Sequence, residues 1–293
     1  MAVRLYGLLG WPVGHSVSPP MVNAAFNKLG LEAYYTAFAV PPEDFTTAVH
    51  GLSALRAGGV NVTIPHKQSA LRLATSISDA AKLAGAVNTL KFISETREVL
   101  GHNTDVSGWW KSLKAQTGGR ETWNRVLVLG AGGASRAVLA GLALNAPQAE
   151  VFIAARKYEQ TVQMAKEFEP YLSIRPIAWE GKEKWISQSE LVVNTTPVGM
   201  WPNTESSPVL DAGCFEQGQV VQDLVYRPLH TRFLQLAASH GALVATGLSM
   251  LVEQGAEAVA FWTGREPDIE CMLNAANEAL RAGAPDRVGS DSI

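Results

Sequence analysis

The sequence predicts an α/β protein: an N-terminal α/β unit, then a doubly wound parallel sheet, then C-terminal helices. Three observations predict it. Short, β-branched apolar runs alternate with helical stretches along almost the whole chain, as strands joined through crossover helices do. The stretch RVLVLGAGGASRAVLAGLALNAPQAEVFIAAR, residues 125–156, reads as strand, glycine-rich turn, helix and second strand. A chain of 293 residues, 47% hydrophobic and 17% charged, suffices for one large or two medium domains.

Taken in order, Val3 to Gly10 is a buried strand, followed by a loop of turn formers and hydroxyls from Trp11 to Pro19. Pro19 and Pro20 start a helix that Gly30 stops. A strand covers Ala33 to Val40, and the helix after it opens at Pro41 and carries Phe45, Ala48, Val49 and Leu52 at helical spacing. Val60 to Lys67 alternates as a strand that proline stops; if that geometry persisted, His66 would face away from Lys67 and be structural. A helix from Gln68 to Ala74 and short strands at Ala86 to Leu90 and Glu98 to Gly101 precede a helix over Val106 to Leu113. Beyond the glycine-rich unit, helices are expected at Glu159 to Phe168 and Thr231 to Ser239, and strands near Ile174 to Ala178, at Leu191 to Asn194, Gln219 to Tyr226 and Leu243 to Thr246. Six strands then make a full doubly wound sheet. Helices at Met250 to Trp262 and Asp268 to Ala282 end the fold. The expected division is 1–106, 107–246 and 247–282, with a disordered tail at 283–293 rich in Gly, Ser and Asp.

The glycine-rich unit carries the first functional expectation. Gly130, Ala131, Gly132, Gly133, Ala134 and Ser135 form a turn that lets backbone approach a ligand, and the helix behind it offers its N-terminus to a pyrophosphate. The third motif position is Ser135 rather than Gly or Ala, and an ordinary Gly-rich turn remains the alternative. An NAD site places an acidic residue at the end of the second strand; here stand Arg156 and Lys157, cations suited to a 2′-phosphate or simply solvated charges. NADP is therefore expected over NAD.

Other classes are poorly served. Net charge is −3 without a long basic run, so no nucleic-acid partner is expected. No apolar run of membrane-spanning length occurs and the N-terminus does not read as a signal peptide, so a cytoplasmic protein without a membrane partner is expected. Cys214 and Cys271 stand far apart without metal-ligand spacing, so neither a disulfide nor a metal site is expected. No Tyr-x-x-x-Lys occurs, which argues against short-chain dehydrogenases.

Strand ends of the first unit present Ser16, Ser18, Asn61, Thr63, Lys67, Asn88 and Asp105, a set able to surround a polyhydroxylated molecule. Singly, each also reads as a turn residue, a cap or half of a surface ion pair. Together, GHSVSP, NVTIPHK, AVNTL, HNTD, GAGGASRA, NTTPVGM, DLVYRP and GLSMLVEQGAEAVAF resemble the shikimate dehydrogenase family, from about residue 5 to residue 280. The resemblance implies a substrate domain, a Rossmann domain, a C-terminal helix returning to the first domain, and NADP-dependent interconversion of 3-dehydroshikimate and shikimate on the way to chorismate and aromatic amino acids. It implies Lys67 and Asp105 as the catalytic pair, Ser16 and Ser18 with Tyr226 at the substrate carboxylate, and Asn61, Thr63, Asn88 and Gln254 at its hydroxyls. At the cofactor it adds Thr195, Val225, Gly247 and Met250. It implies small-molecule partners and a monomer or homodimer. The chain departs from the family at Arg156 and Lys157, where a second clamping arginine is missing, which leaves room for NAD; Trp201 extends a loop on the nicotinamide side, where it reads equally as loop packing or as a ligand contact. Ser16 and Ser18 together favour shikimate over quinate, and an intact Lys67 and Asp105 speak against a regulator without turnover.

Overall fold

The computed structural model describes residues 3–14 and 16–282, so the tail expected at 283–293 lies outside the described residues. The chain runs β1 (Arg4–Gly10), α1 (Ser18–Lys28), β2 (Ala33–Ala39), α2 (Phe45–Ala54), β3 (Gly59–Val62), α3 (Lys67–Leu73), β4 (Ser76–Ile77), α4 (Asp79–Ala84), β5 (Thr89–Ile93), β6 (Glu98–His102) and α5 (Thr104–Gln116). It continues with β7 (Arg125–Leu129), α6 (Gly133–Asn145), β8 (Glu150–Ala154), α7 (Tyr158–Phe168), β9 (Ser173–Ile177), α8 (Glu183–Ile186), β10 (Leu191–Asn194), β11 (Val220–Asp223), α9 (Arg232–Ser239), β12 (Leu243–Ala245), α10 (Gly247–Thr263) and α11 (Ile269–Ala282).

Two six-stranded sheets result. The second, in order β12-β11-β10-β7-β8-β9, is parallel throughout, and β7, β8 and β10 are apolar and buried on both faces, as helix-covered strands must be. Pro176 sits in β9, an edge strand where a missing N–H costs least. The first sheet, β2-β1-β3-β5-β6-β4, is mixed: β5 and β6 form an antiparallel hairpin beside parallel β1, β2 and β3.

Several boundaries differ from the sequence expectation, and the differences matter at the site. Strand β3 ends at Val62, so Lys67 opens a helix instead of closing a strand. Helix α5 begins at Thr104, which puts Asp105 in its first turn; Asn103 caps it, its Oδ1 accepting from the Asp105 N–H at 3.1 Å. Segment 86–88 is not strand, and β11 stops at Asp223. Strand β4 and helices α4 and α8 were not expected, each being too short for periodicity to register.

Helices α5 and α10 hold the two halves together. Trp109 of α5 is fully buried and packs on α6, with its Nε1–H donating to Gln222 Oε1 of β11 at 2.7 Å. Gly108 lets α10 cross close behind: a Cβ there would lie 2.7 Å from the Gln254 backbone nitrogen. Helices α10 and α11 then pack on α1, burying Met21, Phe26, Val252, Val259, Trp262 and Met272 in one cluster. Glu257 fastens α10 polarly: it accepts from His102 Nε2 at 2.9 Å and Lys111 Nζ at 3.4 Å, and from the Ser107 hydroxyl. Burial pushes its carboxyl pKa up, but the His102 and Ser107 hydrogen bonds and the Lys111 charge outweigh that and hold it below the usual range. A lowered folded pKa stabilises above the ordinary value of 4.5 and the contribution is lost as pH falls through it. Glu257→Gln should therefore cost about 1–2 kcal/mol in urea melts at pH 7, and the difference should shrink below pH 4.5.

Candidate active site

Two helix N-termini converge on one ion pair. After β3, the Thr63–Pro65 turn closes with the His66 N–H on the Thr63 carbonyl at 2.9 Å, and α3 begins at Lys67. Lys67 Nζ donates to Asp105 Oδ2 at 2.6 Å; the side chains are 22% and 13% exposed, enough for a ligand to reach them. An ammonium at a helix N-terminus is electrostatically disfavoured, whereas a carboxylate in the first turn of α5 is favoured, so Asp105 supplies the compensation Lys67 needs. His66 is structural for a different reason from strand alternation. It precedes a helix, is 1% exposed, stacks on Phe45 at 4.6 Å and donates from Nε2 to the Val40 carbonyl at 2.7 Å.

Amides and hydroxyls gather beside this pair. The Val87 N–H donates to the Lys67 carbonyl at 3.1 Å and Asn103 Nδ2 to the Ala86 carbonyl at 2.9 Å, so the loop carrying Asn88 is tied to both helices of the ion pair. Asn88 Oδ1 accepts from the Thr104 N–H at 2.8 Å, and its Nδ2 donates to Thr104 Oγ1 at 3.0 Å. Thr104 Oγ1 lies 3.5 Å from Gln254 Oε1 on α10, bringing Gln254 into the same cluster. Asn61 is 6% exposed and meets Tyr35, Thr89 and the Asn88 carbonyl. Thr63 follows β3 and donates its N–H to the Leu9 carbonyl at 2.9 Å. Ser16 Oγ donates to Ser18 Oγ at 3.1 Å at the start of α1. Tyr226 packs against the α1, α10 and α11 cluster, and burial raises its pKa despite the Arg227 charge.

The glycine turn follows β7. Gly130 has φ of 115°, which only glycine adopts without strain, and a side chain there would collide with Thr195. Side chains at Gly132 and Gly133 would enter open space, so the concave face of the turn is clear. Ser135 explains the departure from the motif. Thr195 Oγ1 donates to the Leu129 carbonyl at 2.7 Å; the Ser135 hydroxyl therefore donates to Thr195 at 2.7 Å and accepts from the Gly132 N–H at 3.1 Å. A glycine or alanine would break that relay between β7, the 195–200 loop and α6. Ala131 and Ala134 flank the turn, and Arg156 and Lys157 stand exposed past β8, Lys157 just before α7. Val225 is buried, and Gly247 opens α10 so close to the Leu224 carbonyl that no side chain would fit. Met250, one turn before Gln254, packs into the core of the parallel sheet. The apolar length of α10 thus spans from the cofactor-side loops to the polar cluster.

Two further features, Asp223 and Trp201, tie the loops of this half together. Asp223 is fully buried and accepts from Asn194 Nδ2 at 2.9 Å, the Val225 N–H at 3.0 Å and Thr231 Oγ1 at 2.6 Å. Asn194 in turn accepts from the N–H and hydroxyl of Thr196, so one carboxyl holds both the 195–200 and the 224–228 loops. An acid closing the buried strand Val220–Asp223 was the available signal. Trp201 donates its N–H to the Arg227 carbonyl at 2.9 Å and lies under the Arg227 guanidinium at 4.9 Å, locking the same loops at their far ends. Among the described residues no cluster of His, Cys, Asp or Glu could hold a metal ion, and no helix is long and apolar enough to cross a membrane.

Comparisons with known proteins point one way. Residues 8–90 match the model of the shikimate dehydrogenase substrate binding domain, and residues 247–276 that of the shikimate 5'-dehydrogenase C-terminal domain. A shikimate dehydrogenase (NADP(+)) from Methanopyrus kandleri is 41% identical over 282 residues, covering 95% of this chain and 96% of that protein. Shikimate 5-dehydrogenase from Thermus thermophilus, solved with NADP(H) and shikimate, superposes with a TM-score of 0.84 at 38% identity, covering 94% and 99%. Quinate dehydrogenase from Corynebacterium glutamicum, solved with NAD, superposes with a TM-score of 0.88 at 28% identity, covering 95% and 100%.

Burial, against the three hydrogen bonds it receives, raises the Asp223 pKa from 3.8 to about 6. A raised folded pKa means that the native state binds the proton more tightly, so stability is gained as pH falls through 6 toward 4. In urea melts compared pairwise, the wild type should gain about 1–3 kcal/mol on Asp223→Asn between pH 7 and pH 4.

Proposed function

The chain belongs to the shikimate dehydrogenase family, and from that premise we propose that it interconverts shikimate and 3-dehydroshikimate with NADP, in the route to chorismate and the aromatic amino acids. The observation that carries the reading is the Lys67–Asp105 contact at 2.6 Å, partly open to solvent beside a cluster of amides. A division into a substrate unit at 1–106, a dinucleotide unit at 107–246 and returning helices at 247–282 goes with it. So do a monomeric or homodimeric state and a cytoplasmic location.

The residues suit a dinucleotide phosphate. The clear face of the turn at Gly132 and Gly133, in front of the thirteen-residue helix α6, would take the pyrophosphate, and Arg156 with Lys157 the 2′-phosphate. Thr195, Val225, Gly247 and Met250 would line the remainder. When bound, the dinucleotide would accept the hydride as NADP+ in the oxidative direction and give it as NADPH in the reductive one. All other chemistry falls to the protein. Ser16, Ser18 and Tyr226 hold the substrate carboxylate, while Asn61, Thr63, Asn88 and Gln254 meet its hydroxyls. In the reductive direction the developing alkoxide takes a proton from Lys67 Nζ; in the oxidative direction the hydroxyl proton passes back to the Lys67–Asp105 pair. Asp105 orients both Nζ and the substrate hydroxyl and balances the ammonium charge.

Purified protein given shikimate and NADP should accumulate NADPH; none formed with either shikimate or quinate would overturn the assignment. Lys67→Ala should lower kcat by about 10² to 10⁴ while KM for shikimate moves less than about threefold. Arg156→Ala should raise KM for NADP by about 10- to 100-fold, the loss of one charged hydrogen bond, and leave KM for NAD unchanged.

A further inference from the structure

Behind the amides lies a buried line of hydrogen bonds whose polarity is set at both ends. Tyr35, on β2, is completely buried, and its hydroxyl has Asn61 Oδ1 at 2.9 Å. The other end of the Asn61 amide lies 3.5 Å from the Asn88 backbone carbonyl and 3.0 Å from Thr89 Oγ1. A carbonyl only accepts, so that end is Nδ2 and the Tyr35 hydroxyl must donate to Oδ1. Thr89 Oγ1, having accepted from Asn61, donates to Asn88 Oδ1 at 3.1 Å. The Thr104 N–H, which only donates, fixes the same oxygen at 2.8 Å. Asn88 Nδ2 spends one hydrogen on Thr104 Oγ1 at 3.0 Å. What Asn88 retains for a ligand is a single N–H. Gln254 is held in the same sense, because its Nε2 donates to the Leu251 carbonyl at 2.8 Å.

We infer that Tyr35 is a positioning residue for substrate selection: through Asn61 and Thr89 its phenol fixes Asn88 as a hydrogen-bond donor to a ring hydroxyl of the substrate. The inference rests on the function proposed above. Without the phenol, Asn61 Oδ1 would be a buried acceptor with no donor; turning the amide would satisfy it from Thr89 but leave Nδ2 unpaired, so the amide no longer has one fixed sense. The turned oxygen would draw the Thr89 proton away from Asn88 and loosen its aim. The Tyr35 hydroxyl is bonded to Asn61 and not to the Lys67–Asp105 pair, so proton transfer should be spared.

The test is Tyr35→Phe, which keeps the ring against Trp262 and removes one oxygen. The neighbouring Tyr34→Phe, at an exposed position, is the control. Calorimetric titration with shikimate in the absence of cofactor should give a Kd raised about 5- to 10-fold in Tyr35→Phe, the loss of one hydrogen bond's worth of order. KM for shikimate should rise in parallel, with kcat and KM for NADP unchanged and Tyr34→Phe like wild type. The penalty for a shikimate analogue lacking the 4- or the 5-hydroxyl should shrink for at least one of the two. A lowered melting temperature with unchanged Kd, or unchanged penalties for both analogues, would overturn the inference. Turnover of shikimate by the wild type is read in the same assays, so failure of the functional reading is separable from failure of this one.

Discussion

Everything in this molecule turns on how an ammonium and a carboxylate are brought to 2.6 Å from positions 38 residues apart. Neither side chain could be held there by a loop. Each opens a helix, and the two helices are pinned to the loop between them by the Val87 and Asn103 hydrogen bonds. The pair is largely desolvated, which strengthens its attraction, yet its side chains remain 22% and 13% exposed, which leaves room for a reacting oxygen. A fully buried pair would be inert and a fully exposed one poorly aimed.

The same helix that carries Asp105 forms the mechanical link to the dinucleotide half. Trp109, one turn on, is buried against α6, whose first residues form the glycine turn, and is hydrogen-bonded to β11, whose last residue is Asp223. Arg136, also in the first turn of α6, donates from Nε to the Ala84 carbonyl at 2.6 Å, just before the loop that carries Asn88. The helix that carries Asp105 and the helix behind the glycine turn are therefore packed directly on each other instead of being joined only through loops.

Much of this was legible in the residues. The parallel sheet follows from buried β-branched runs, and the glycine turn from its place between a strand and a helix. The pairing of Lys67 with Asp105 was legible only through the family resemblance, because nothing local marks either one. The first sheet was harder: β5 pairs antiparallel, and β4 and α4 are too short for a periodic signal. Asp223, Tyr35 and Glu257 were missed for one reason. Each acts through partners supplied by distant segments, and a sequence shows a buried polar residue only as an exception to a pattern, without its partners. Ser135 looked like a defect of the motif until Thr195 was in place to receive its proton.

Trp201 lies under Arg227, and the two backbones are joined by a hydrogen bond, so the stretches after β10 and β11 are joined at two places, Asp223 at the root and the indole at the rim. Stretches joined twice have a single orientation to inherit. Among descendants of this chain, positions 201 and 227 should drift as a couple, a lost indole being tolerated where the guanidinium has gone too.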